Sequence, residues 1–334
     1  MTQGRLWLWL PWAAFVALAA GWIAYWHVLA GESERRLAAW VSEQSARGAH
    51  ASYTRVARHG FPVLLRLELQ GFSYAPERGG WRARTARVDL HVQMLNPGHI
   101  KLEAGAPIEV ARAGGATTIF TADALIGSWR TERGVLAVAG IEADNLSLDD
   151  PAQEGRLLAR KLVANIRPDP RAAGAYQLAF DADGLTLPRP VRSFETFGLE
   201  VASLRAAMVV EQGAALMASA SQDPLGPWRE AGGQLRFDAL TLNWGPLETT
   251  GRGNGGLDAQ RRLVGEIELP IDRPARVLSA LANGPNVDRD ARRALALLAA
   301  GYALSGDDIK LNVEARDGVL RLEGLSVRTL PPVY

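Results

Sequence analysis

Twenty-five consecutive residues, Leu6 to Ala30, contain no Lys, Arg, Asp or Glu. At about 1.5 Å per residue, a helix of that length crosses the roughly 30 Å hydrocarbon layer of a bilayer. Trp7, Trp9 and Trp12 near one end and Trp22, Tyr25 and Trp26 near the other stand where amphipathic rings prefer the headgroup level. These six are the candidate anchor residues, and residues 1–31 read as a short tip plus a transmembrane span. Val28-Leu29-Ala30 before Gly31 also offers the small side chains a signal peptidase inspects. A removable apolar region is about 7–15 residues long, so the length of this run favours an uncleaved anchor. His27 reads as a polar tip in the headgroup zone. Arg5 and the amino terminus lie before the span, whereas Glu32, Glu34, Arg35 and Arg36 cancel after it. The positive-inside tendency then places the N-terminus in the cytoplasm and the bulk of the chain in the periplasm, on an inner membrane crossed once.

Charge and cysteine content narrow what the tethered part can do. The 303 residues after Gly31 (334 minus 31) carry 36 Lys and Arg against 36 Asp and Glu, a net charge of zero. Nucleic-acid binding needs a basic excess or a basic face, and none is present in the sequence. Without a single Cys there is no disulfide, thiolate metal site or cysteine nucleophile. The fold must therefore be held by burial, which a chain of this length can supply.

Residues 32–48 keep a helical period, with Leu37, Trp40 and Val41 on one face, and form a membrane-proximal helix ended by Gly48. From residue 49 the period changes to two. Leu65, Leu67 and Leu69 alternate with Arg66, Glu68 and Gln70; Val88, Leu90 and Val92 alternate with Arg87, Asp89 and His91. The turn-rich stretch from Pro76 to Gly80 between them predicts a hairpin. Residues 49–334 read as an antiparallel β domain, divided into two similar halves of about 49–190 and 191–334, with a helical insertion near 273–304 opened by Asp288 as N-cap of its second helix. Turn signals include Pro168-Asp169-Pro170, Asp183-Gly184, Gly245-Pro246, the glycine run Gly253 to Gly256 and Asp317-Gly318. A hydroxyl-centred triplet recurs as Phe72-Ser73-Tyr74, Leu146-Ser147-Leu148, Leu185-Thr186-Leu187, Leu240-Thr241-Leu242 and Leu325-Ser326-Val327. Its spacing is irregular, which excludes a fixed-period solenoid or propeller and points to a meander that reuses one local pattern.

Catalytic and ligand motifs are sparse. Gly251 to Gly256 matches a dinucleotide glycine pattern by letter, but a phosphate loop must open a helix, and a hairpin turn is the better reading. Asp181-Ala182-Asp183-Gly184 lacks the third ligand and distal Glu of a calcium loop, so it too reads as a turn. The five His residues show neither HxH nor HExxH spacing, and GxSxG is absent. His91 shares its strand face with Asp89 and Arg87, which reads as a solvated polar face rather than an acid–base pair. No catalytic residue, metal ligand or cofactor site is assigned.

The apolar span, the Gly60-Phe61-Pro62 that opens a strand, the Leu242-Asn243-Trp244-Gly245-Pro246-Leu247 hairpin and the ending Leu330-Pro331-Pro332-Val333-Tyr334 resemble the bacterial, membrane-anchored domain of unknown function 2125 family over essentially the whole chain. More distantly, the Leu-Thr-Leu and Trp-Gly-Pro-Leu segment is similar to the β-unit of AsmA-like envelope proteins. That likeness implies outer-membrane maintenance and a hydrophobic groove for lipid. The fold expected is mainly β: an N-terminal transmembrane helix, then an elongated, curved antiparallel sheet domain of AsmA-like, lipid-binding-like type with a few helices. The function expected is an envelope protein that binds or shields lipid or another hydrophobic molecule, with Leu65, Leu67, Leu69, Val88, Leu90 and Val92 as the candidate apolar groove. The alternatives are a structural or protein-interaction module that meets an envelope partner through a sheet edge and, more remotely, a hydrolase.

Overall fold

The computed structural model describes residues 3–333 except 78–79, 133–134, 153, 192–193, 218–222, 224, 286, 288, 306–308 and 323. The expected N-cap Asp288 and the side chain of Trp7 lie outside the described residues. The chain forms two compact units, 1–135 and 136–334. The segment around residue 190 joins two strands paired along nearly their whole length, Tyr176 with Val210 through to Thr186 with Glu200.

In the first unit the anchor and the membrane-proximal helix are one helix, α1 (Gln3–Ala46), with Pro11 inside it. The strands that follow are β1 (His50–Ser52), β2 (Arg55–His59), β3 (Leu65–Ala75), β4 (Trp81–Val92), β5 (His99–Ala104), β6 (Ile108–Arg112), β7 (Thr117–Thr121) and β8 (Ala124–Glu132). As the alternation predicts, β3 and β4 form a long antiparallel hairpin, Leu65 opposite Val92 and Tyr74 opposite Ala83. β1 and β2 lie end to end along β3, and β5 and β6 lie end to end along β4. β8 and β7 pair outside those two.

The second unit is a meander of ten strands in which each pairs antiparallel with its neighbours in sequence. They are β9 (Val135–Asp149), β10 (Arg156–Pro168), β11 (Tyr176–Thr186), β12 (Glu200–Val210), β13 (Leu235–Trp244), β14 (Leu247–Leu257), β15 (Leu263–Ile271), β16 (Ile309–Arg316), β17 (Val319–Leu322) and β18 (Leu325–Thr329). Short helices α2 (Ala214–Met217) and α3 (Gly226–Glu230) precede β13. The helical insertion falls where expected, as α4 (Pro274–Ala282) and α5 (Arg289–Ser305). α4 closes a buried cluster of Val277 with Phe197, Ile271 and Leu311. Phe194, Phe197 and Trp244 meet there at ring-centroid separations of 5.2 to 5.6 Å.

Two turn expectations are corrected. Asp183-Gly184 lies inside β11, and the glycine run Gly251 to Gly256 lies inside β14. A side-chain carbon on Gly251 or Gly253 would come within 2.2 Å of a carbonyl oxygen of β15, at Glu268 or Glu266. The glycines therefore let two backbones approach closely, a role that a turn-based reading of glycine overlooks. Because the run opens no helix, it cannot act as a phosphate loop.

Candidate functional site

The six candidate groove residues do come together, and the chain itself covers them. Leu65, Leu67 and Leu69 are each 1% exposed, Val88 and Val92 are buried, and Leu90 packs partly buried beside them. Their cover is α1, whose Trp26, Leu29 and Ala30 belong to the same buried cluster, with Leu37 packed against it. Residues three, four and seven apart share one helix face, so this stripe is what a helix must present to a flat apolar sheet. Ala30 is fully buried, and its lack of bulk lets the helix lie close to the strands. Alternation located the apolar face correctly. It could not show that the occupant is another part of the same polypeptide.

The dock begins inside the uncharged run. The Trp26 indole Nε1 donates to the Leu64 carbonyl at 2.8 Å, the Trp22 Nε1 to the Pro62 carbonyl at 2.7 Å, and the Tyr25 hydroxyl to the Met94 carbonyl at 2.6 Å. Half of the proposed aromatic belt thus bonds to loops of the β sheet. The other half differs: Trp9 and Trp12 are about two-thirds exposed, Leu18 is 75% exposed, and the side chains between them are exposed as well. Beyond the span, Arg58 of β2 clasps Glu34 of α1 through two hydrogen bonds of 2.5 Å. These bonds hold the Glu34 carboxyl below its ordinary value and raise the Arg58 guanidinium.

The opposite face of the first sheet carries charge. Asp89 accepts from Arg87 at 2.5 Å, Glu68 lies 3.5 Å from His59, and His91 lies 3.6 Å from Glu103. His91 therefore sits in a cross-strand ladder of alternating charge, as the reading of a polar face implies.

A second apolar face lies in the second unit, at residues the sequence reading did not single out. Across β10 to β13, Ile166 stands opposite Leu178, which pairs with Met208 and then Phe237; Ala164 stands opposite Phe180, Ala206 and Leu240; Leu162 stands opposite Ala182, Leu204 and Leu242. The large members are all half-buried. The reverse face mixes exposed, half-buried and buried residues: Asn165, Ala179 and Ala207 form an exposed row, Arg205 bridges Asp181 at 3.1 Å and Asp183 at 3.3 Å, and Val209 and Ser203 are buried. Among the described residues, the two buried apolar clusters lie elsewhere, under α1 and under α4. The same alternation that marked β3 and β4 is present in Gln177 to Ala182, where Leu178, Phe180 and Ala182 share one face.

Comparison with curated proteins finds no match, and comparison with solved structures finds none either. The match to a protein family is extensive. It runs over residues 26–331, so it opens at Trp26, the residue whose side chain begins the buried dock, and leaves out most of the exposed part of the span. The chain therefore belongs to the family described as an uncharacterized protein conserved in bacteria, DUF2125.

Proposed function

We propose that this protein is an inner-membrane-anchored periplasmic protein that holds or shields lipid, or a similarly apolar molecule, on one face of the β10–β13 sheet in envelope maintenance. The observation that carries the reading is the three-row ladder of large, half-buried apolar side chains backed by a charged reverse face. A sheet with one wet face normally buries the other against a second layer. A contiguous apolar face left half open marks a surface for an apolar partner. The AsmA-like resemblance supports the same use of a β meander, as fold-level analogy. The reading is non-catalytic and needs no cofactor. Orientation follows from Arg5 before the span and balanced charge after it.

Full-length protein extracted in mild detergent, followed by mass spectrometry of bound lipid, tests the reading. Wild-type chain retains lipid, whereas Leu178→Asp combined with Leu204→Asp loses most of it while keeping the wild-type circular-dichroism spectrum. Equal lipid in both, or none in wild type, contradicts it. The alternative of a protein-interaction module draws on α5, where Leu297 is 75% and Leu304 90% exposed. Under that reading, Leu297→Ser and Leu304→Ser alter a co-purifying partner, and the sheet variant does not.

A further inference from the structure

We infer that the β sheet of the first unit is partly sunk into the membrane, with the Gly60–Leu64 turn and the Leu95 tip forming an apolar collar around the anchor helix within the outer edge of the hydrocarbon layer. This rests on α1 being a membrane span. Phe61 is 51%, Val63 69%, Leu64 63% and Leu95 87% exposed, a concentration of apolar surface unlike the rest of this sheet. No charged residue occurs between His59 and Leu65 or between Gln93 and His99.

The occupant follows from the level at which these loops meet the helix. Their carbonyls at Pro62, Leu64 and Met94 take hydrogen bonds from Trp22, Trp26 and Tyr25, all inside the uncharged run. Helix from Leu6 to Gly21, the part below the loops, spans only about 24 Å at the helical rise. The hydrocarbon layer is about 30 Å thick, which leaves roughly four residues of helix still within it at and above Trp22. The loops occupy that same depth. Ile23 at 41% and Val28 at 65% exposed keep the outer face of the helix apolar there as well.

Much of the loop backbone also has an internal partner. In lipid every polar main-chain group needs an internal partner. Gly60 O accepts from the amides of Val63 at 3.1 Å and Leu64 at 2.7 Å, and Pro62 has no N–H to satisfy. Pro62 O, Leu64 O and Met94 O are satisfied by the three aromatic side chains of the span. In the second loop Asn96 N donates to Gln93 O and His99 N to Asn96 O, while Pro97 again has no donor. Gly60, with φ near +91°, gives the turn a conformation that other residues rarely adopt. Next to this apolar tip, Leu64, Leu65, His91, His99, Lys101 and Glu103 line a depression of about 290 Å³, at the depth where lipid headgroups would lie.

The natural absence of cysteine makes a direct depth measurement possible. Val63→Cys, Leu95→Cys, Leu18→Cys in the span and Ala113→Cys on an exposed loop at the other end of the sheet are each spin-labelled in the full-length chain. The proteins are reconstituted into vesicles of phosphatidylethanolamine and phosphatidylglycerol. Relaxation by oxygen is compared with relaxation by a water-soluble nickel chelate. The collar predicts an oxygen-to-nickel ratio several-fold higher at residues 63 and 95 than at residue 113, approaching that at residue 18. Water-like ratios at 63 and 95 with a lipid-like ratio at 18 overturn the collar and leave the anchor standing. A water-like ratio at 18 overturns both.

Discussion

Trp26 belongs both to the uncharged run and to the folded core. Its side chain is 4% exposed, and its indole makes a hydrogen bond to Leu64 and an edge-on contact to Phe61 at 5.3 Å. Trp26→Ala should therefore destabilise the first unit by about 3–5 kcal/mol, the usual cost of removing a buried aromatic. The check is thermal or denaturant unfolding of the full-length chain in detergent, with Trp12→Ala, whose ring is 67% exposed, as the control that leaves stability unchanged. At this scale the sequence was informative about what is apolar and silent about what meets it. Hydropathy put Trp22, Tyr25 and Trp26 in a membrane belt because a ring with a polar atom suits the headgroup level. It cannot separate a headgroup from a loop carbonyl, since both offer the same acceptor to an indole N–H. Leu67 shows the same limit. Period two makes it one of a buried row, and only the fold reveals that the covering layer is α1.

The recurring hydroxyl triplets are explained one level up. Four of the five follow a residue in the left-handed region: Gly71 before Phe72, Asn145 before Leu146, Gly184 before Leu185 and Gly324 before Leu325. The fifth, at Leu240, follows a register irregularity between Phe237 and Leu240. The repeat thus follows a local break in the extended backbone rather than marking a repeating domain, which is why its spacing is irregular. At Gly71 the consequence extends to neighbouring strands, because β1 gives way to β2 along β3 at this level, where Thr54 N donates to Gln70 O at 2.8 Å. Glycine has no single meaning in this sequence: the same residue type makes the Gly60 turn, the left-handed residue Gly184 inside β11 and the close contact of β14 with β15. A second prediction at this scale concerns the helix clasp. The Glu34 carboxyl is held below its ordinary 4.5, first by its hydrogen bonds to Arg58. A lowered folded-state pKa stabilises above the unfolded value and loses that effect as pH falls through the folded one. Both side chains are about a third exposed, so the pair contributes under about 1 kcal/mol. Thermal midpoints of wild type and Glu34→Gln should differ slightly at neutral pH and converge as pH falls below 4.5. A difference that grows on acidification contradicts the assignment.

At the scale of the molecule, an apolar helix docked on one β unit and a ten-strand meander with a half-buried apolar face are the two features a function has to use. The first was legible in outline, because an uncharged run of twenty-five residues admits few other folds. The second was legible as an antiparallel meander, while its half-buried apolar face was not singled out. The β3 and β4 rows have the sharpest alternation, and sharp alternation marks a face that is fully buried on one side; their occupant is α1. The β10–β13 rows stand out less because Ala164, Ala182 and Ala206 interrupt the large side chains. Neighbouring side chains on β11 give the most direct test of the proposed function. A photo-activatable benzophenone residue at position 180, in place of half-buried Phe180, faces the apolar side; the same residue at exposed Ala179 faces the charged side. Irradiated in intact cells, position 180 should capture lipid and position 179 should not. Equal capture at both, or none at 180, would contradict the account.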